Sequence, residues 1–168
     1  SRGFHYIFQG LEKLQSLKRL TFDICRIEYG EWSLLKKFAS SGITLENLSL
    51  WVTFPEYSKN LYLTDNTNLT EFIGLLDNQP NLKSLELAMP YYSLEALSKG
   101  FAQLKTPQLQ TLKITASDDT LNSKTKNQDR IKGLASFLKN QKDTLKNLHI
   151  SLPLVFQQVI VTQLAQAF

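Results

Sequence analysis

Catalysis and metal binding both need side chains that converge on one point, and few residues of this 168-residue chain are chemically equipped for it. There are two histidines, His5 and His149, and one cysteine, Cys25. The histidines lie near opposite ends of the chain, with most of its repeated pattern between them, so they are not expected to share a metal ion or a triad. Cys25 has no neighbouring histidine and no CxxC partner, which predicts a buried structural thiol instead of a nucleophile or a ligand. Asp118-Asp119 is a carboxylate pair, but adjacent residues in a polar loop point apart, so a solvated turn is expected there and not an acid–base dyad. The seven glycines are dispersed and build neither GxGxxG nor a P-loop, which leaves no phosphate cradle. The expectation is a protein without catalytic residues, cofactor or metal.

Composition narrows the classes further. Nineteen Lys and Arg against fifteen Asp and Glu give a net charge of +4, and the basic residues are scattered through the chain, so no nucleic-acid partner is expected. A single cysteine excludes an internal disulfide framework, and no charged segment followed by an apolar one marks the start as a secretory signal. An intracellular, cytoplasmic compartment follows as the expectation. The sequons Asn47-Leu48-Ser49 and Asn68-Leu69-Thr70 then read as accidental. The most apolar stretch, Leu152 to Phe168, is interrupted by Gln157, Gln158 and Gln163, and a span of roughly 18 apolar residues is needed to cross a bilayer, so no membrane partner is expected.

The elements that would position any functional side chain are announced by a pattern, L-x-x-L-x-[LIF], that occurs five times. Its copies are Leu17-Leu20-Phe22, Leu45-Leu48-Leu50, Leu82-Leu85-Leu87, Leu109-Leu112-Ile114 and Leu145-Leu148-Ile150. Each alternates apolar and polar residues with period two, as a strand buried on one face must: Leu48 and Leu50 point inward, Asn47, Ser49 and Trp51 outward. Between the copies, Leu94, Leu97, Phe101 and Leu104, and again Ile131, Leu134 and Leu138, recur at three and four residues, the spacing of an amphipathic helix. Further helices are expected near residues 4–14, 31–39, 68–78 and 155–167. Ser93 and Asp129 are placed to cap the fourth and fifth helices, and Lys139 and Lys142 suit the C-terminal dipole of the fifth. Pro80 and Pro107 each precede a strand, where proline ends a helix without removing a ladder donor. From Leu17 to Leu45, Leu82, Leu109 and Leu145 the successive intervals are 28, 37, 27 and 36 residues. Short and long units alternate, which suggests duplication of a two-repeat block.

The run Leu17-x-x-Leu20-x-Phe22-x-x-Cys25-x-Ile27 resembles the leucine-rich repeat consensus L-x-x-L-x-L-x-x-N/C-x-L, in the helix-containing, ribonuclease-inhibitor-like subclass. The resemblance covers nearly the whole chain and implies an α/β fold: a leucine-rich repeat solenoid of about five to six repeats, with a curved parallel sheet on the concave face and helices on the convex face. The Cys25 position is held by Thr53, Pro90, Ser117 and Pro153 in the later copies, so the repeat is divergent and its turns after those strands depart from the consensus. Residues 1–168 read as one domain and, since Val155, Val159, Ile160, Leu164 and Phe168 have no following strand, as a fragment of a longer solenoid.

Function in such a frame is expected on the outward strand positions. These form three columns: Arg19, Asn47, Ser84, Thr111, Asn147; then Thr21, Ser49, Glu86, Lys113, His149; then Asp23, Trp51, Ala88, Thr115, Ser151. Most are short and polar, which suits plain solvation as well as binding. Trp51 is the exception, because an outward tryptophan is a frequent interface anchor. Its alternative fate is to be covered by Tyr57, Leu61, Tyr62 and Leu63 of the first of two insertions, near residues 54–67. The second, near 117–128, is rich in Ser, Thr, Asn, Asp and Lys. Both follow a strand at the same edge, where loops raised on a rigid frame can recognise partners. The expected function is a non-enzymatic scaffold that holds a protein or peptide through its concave strand face and insertion edge. The alternative is a structural segment of a larger assembly, or a regulatory domain of a longer multidomain protein.

Overall fold

A computed structural model describes residues 2–24, 29–52, 66–90, 94–105, 108–117, 131–152, 158, 160–162 and 165. Helices and strands alternate along them: α1 (Arg2–Leu11), β1 (Arg19–Ile24), α2 (Tyr29–Ala39), β2 (Asn47–Val52), α3 (Asn66–Leu75) with a 3-10 turn at Leu76–Asn78, β3 (Ser84–Pro90), α4 (Leu94–Phe101), β4 (Thr111–Ser117), α5 (Lys132–Asn140) and β5 (Asn147–Ser151). All five leucine patterns end in a strand. Residues 158, 160–162 and 165 are helical, within the last helix expected from sequence. Cys25, Ser93, Pro107, Asp118, Asp119 and Asp129 lie outside the described residues, as does most of each expected insertion.

The strands form one parallel sheet in chain order, β1-β2-β3-β4-β5. Register holds across all of it, so Leu20, Leu48, Leu85, Leu112 and Leu148 are successive partners, and so are Phe22, Leu50, Leu87, Ile114 and Ile150. A slip of one residue would turn a whole strand's leucines to the wrong face, which is why a half-buried sheet holds its register. Parallel neighbours need a crossover, and right-handed crossovers repeated in one direction place every helix on the same side of the sheet. Consecutive helices accordingly pack on one another, α1 on α2 through to α4 on α5.

The core lies between the helices and one face of the sheet. Each helix contributes a buried phenylalanine, Phe8, Phe38, Phe72, Phe101 and Phe137 in turn. Phe8 meets Phe38 edge-on at 5.9 Å and Phe101 meets Phe137 at 4.8 Å, distances at which aromatic pairs attract beyond their buried area. Leu48, Leu50, Leu85, Leu87, Leu112 and Ile114 of the inner strands are buried. The last strand differs: Leu148 is 43% exposed, although it holds the same pattern position as Leu85 at 0%.

Backbone bonding repeats with each step. The carbonyl oxygen of Lys18 accepts from the N–H groups of Glu46 and Asn47, that of Glu46 from Lys83 and Ser84, that of Lys83 from Gln110 and Thr111, and that of Gln110 from Lys146 and Asn147. A second device repeats only every two steps. The first leucines of the odd patterns, Leu17, Leu82 and Leu145, donate their N–H to carbonyls of their own preceding turn, at Leu14, Gln79 and Gln141. Those of the even patterns instead receive a side chain from the next unit: Leu45 N–H donates to Gln79 Oε1 (2.7 Å) and Leu109 N–H to Gln141 Oε1 (2.8 Å). Gln79 Nε2 also donates to the carbonyls of Ala39 and Ile43. Both glutamines close the sequence Leu-x-Asn-Gln, at 76–79 and 138–141, and Leu-x-Lys-x-Phe-Ala recurs at 34–39 and 97–102. The two-repeat alternation therefore has a physical counterpart in how buried N–H groups are satisfied.

Helix α5 begins at Lys132 in the described residues. Ile131 is its N-cap residue and makes no side-chain cap bond. A hydroxyl from the preceding helix substitutes, since Leu134 N–H donates to the buried Ser98 Oγ at 3.1 Å. That approach requires glycine at 133, where a Cβ would run into the Ser98 carbonyl. Gly100 is similar, since its Cβ would stand 2.5 Å from Ile73 Cβ.

Candidate functional site

Strand register decides which outward side chains are neighbours. Arg19, Asn47, Ser84, Thr111 and Asn147 are successive partners, as are Thr21, Ser49, Glu86, Lys113 and His149; Asp23, Trp51, Ala88, Thr115 and Ser151 complete the third row. All fifteen outward positions thus lie on one face. Their side chains are exposed or half-buried while the intervening leucines of β2 to β4 are buried, so this is the uncovered face of the sheet.

Charge on this face is unevenly spent. Glu86 on β3 forms an ion pair with Lys113, its direct partner on β4, and Ser49 Oγ donates to Glu86 Oε2 at 3.4 Å. The middle of the face is self-neutralised. Asn147 Nδ2 donates to Thr111 Oγ1 at 3.3 Å, which ties the first row together at β4 and β5. Arg19 and Asp23, at the two ends of β1, form no ion pair among the described residues. His149 stands exposed on β5, at the far edge.

Trp51 sits in the third row between Asp23 on β1 and Ala88 on β3. It is 39% exposed, on a face otherwise built mostly from polar and charged side chains. Ala88 carries nothing beyond Cβ, which leaves room beside the indole on the β3 side. The residues expected as an alternative cover for it, Tyr57, Leu61, Tyr62 and Leu63, lie outside the described residues.

The two histidines do not come together. His5 is exposed on α1, with Nε2 2.9 Å from Gln9 Nε2, at the end of the molecule opposite His149. Among the described residues no three His, Cys, Asp or Glu come together as metal ligands. The apolar pocket under β1 and β2, lined by Phe22, Leu48, Phe38, Phe72 and Gln79 among others, has its one amide committed to three backbone bonds. Asn68, of the second sequon, is buried, with Oδ1 accepting from Lys36 Nζ at 2.7 Å and Nδ2 without a partner. A buried amide in that setting has no room for a glycan. No helix among the described residues is long and apolar enough to cross a membrane.

Sequence reasoning did not anticipate the buried bonds of Gln79, Gln141 and Ser98. The Leu-x-Asn-Gln match was the available signal for the glutamines; Ser98 had none. The Glu86–Lys113 pair was legible in principle, because opposite charges hold the same position in consecutive patterns.

Comparison with known proteins finds no family model that matches this chain and no matching curated relative. A functional reading therefore stands on the geometry of the sheet's open face.

Proposed function

We propose that the chain is a divergent leucine-rich repeat solenoid of the ribonuclease-inhibitor-like subclass, a non-enzymatic scaffold whose open strand face holds a protein or peptide partner. The observation that carries this reading is Trp51, half-exposed on the third row of a largely polar face. Tryptophan brings a large apolar area and a polar N–H at small entropic cost, and it is over-represented among residues that dominate binding energy. The in-register rows support the reading by offering a rigid array of hydrogen-bonding side chains beside that anchor. The single cysteine favours a reducing, intracellular setting. Affinity capture with the chain and with Trp51→Ala tests the proposal. A partner retained by the first and lost by the second is the expected result; equal capture by both removes the open face from consideration.

A second reading, a segment of a larger assembly, draws on a different observation. Tyr6 and Ile7 on α1 and Leu14 after it are 68%, 56% and 51% exposed at the β1 end of the sheet, and Leu148 is exposed at the other. Apolar surface at the ends of a repeat stack suits coverage by a further element. Light scattering on the Tyr6→Ser/Ile7→Ser double variant checks it. If those residues drive association, the variant is monodisperse where the parent self-associates; a parent already monodisperse at high concentration speaks against this reading.

A further inference from the structure

Among the described residues, the charges of the open face that lack an ion pair lie along a single strand. Arg19, Thr21 and Asp23 alternate on β1, all exposed, and Arg19 and Asp23 form no ion pair among the described residues. Four residues of strand separate them by about 13 Å. Asp23 is the direct partner of Trp51 across the β1–β2 ladder, at a Cα spacing of about 4.8 Å. Glu86, the other carboxylate on this face, is neutralised by Lys113 and bonded by Ser49. Among the described residues, the result is one carboxylate without an ion pair beside one half-exposed aromatic ring, with one cation without an ion pair farther down the same strand.

We propose that Asp23 and Trp51 form a seat for a lysine or arginine side chain of an extended peptide partner, with an acidic residue four positions away on that peptide meeting Arg19. The inference rests on the reading that the open face binds a protein or peptide, and it names the chemistry of that partner. Its physical basis is the cost of covering Asp23. An apolar residue laid over Trp51 would strip water from the neighbouring carboxylate without replacing the lost hydrogen bonds, and an acidic one would add repulsion. A cation satisfies both groups, through the carboxylate directly and through the negative face of the indole ring. The same desolvation argument applies to Arg19, which favours a carboxylate at the other end. Since an extended peptide advances about as far per residue as the strand beneath it, two charges four residues apart match the separation on β1.

The test uses a phage-displayed library of random dodecamer peptides selected on the immobilised chain, with fluorescence polarisation of the selected peptides. The expected outcome is a basic residue and an acidic residue four apart in the enriched sequences, with affinity that falls as salt is raised. Asp23→Asn, a conservative change at an exposed position, is expected to weaken binding on the order of tenfold. Trp51→Phe keeps the ring and retains most of the affinity, while Trp51→Ala loses it. Asp23→Lys is expected to bind the peptide whose basic residue has been changed to Glu. Enriched peptides without a constant basic residue, or full binding to Asp23→Asn while Trp51→Ala abolishes it, would overturn the cation seat and leave the open-face reading standing. A library that yields no binder, or binders indifferent to both Trp51→Ala and Asp23→Asn, overturns the open-face reading and the seat together.

Discussion

The two faces of the sheet are written by alternate residues of the same five strands, yet they obey different rules. On the covered face the positions are nearly uniform: Leu20, Leu48, Leu85, Leu112 and Leu148 in one row, Phe22, Leu50, Leu87, Ile114 and Ile150 in the next. On the open face no row repeats a residue more than once, and opposite charges face each other across neighbouring strands at Glu86 and Lys113. The covered face answers to packing, which is the same problem at every step of a stack. The open face answers to water or to a partner, and neither demands repetition. Stability and recognition should therefore separate cleanly by residue parity.

The sharpest way to break that separation is at its extremes. Leu85→Ala, at a fully buried position in the central strand, is expected to cost about 2–5 kcal/mol in urea unfolding, through lost transfer energy and the cavity left behind. Gln79→Leu follows, at about 1–3 kcal/mol, since it strands the buried N–H of Leu45 and the carbonyls of Ala39 and Ile43. The corresponding Gln141→Leu should cost less, because one backbone bond to Leu109 and a hydroxyl contact from Thr144 are lost. Equal losses at the two glutamines would show that the two blocks are energetically interchangeable.

On the open face the effects shrink. Trp51→Ala is expected to change unfolding free energy by about 1 kcal/mol or less, while partner binding falls by tenfold or more. A stability loss as large as that of Leu85→Ala would mean that the indole belongs to the core and not to a binding face. Smallest of all, Glu86→Gln should alter stability by about 0.5 kcal/mol or less, as Lys113 is 45% exposed and the pair is screened by solvent. A double-mutant cycle with Lys113→Gln measures it directly.

Much of the frame was legible in sequence. The period-two patterns place all five strands and the sides of their leucines, and the three- and four-residue spacings place α4 and α5. The three outward columns coincide with the observed rows because a constant pattern length leaves register no freedom. Boundaries were less legible where termination depends on neighbours: α1 ends at Leu11, not near residue 14. Exposure of Leu148 was hidden altogether, because its pattern is identical to those of the inner strands and only its place at the end of the sheet differs.

By itself the sequence determined which residues are strand, which helix, and which side of each strand faces the core, since these follow from local geometry and the periodicity of apolar side chains. Tertiary structure alone decided how separate units are tied together. That Gln79 serves Leu45, that Ser98 serves Leu134, that Lys113 spends the charge of Glu86, and that Asp23 and Arg19 keep theirs all depend on distances across the stack. Hydrogen bonds and ion pairs act over a few ångströms in space and are indifferent to separation along the chain.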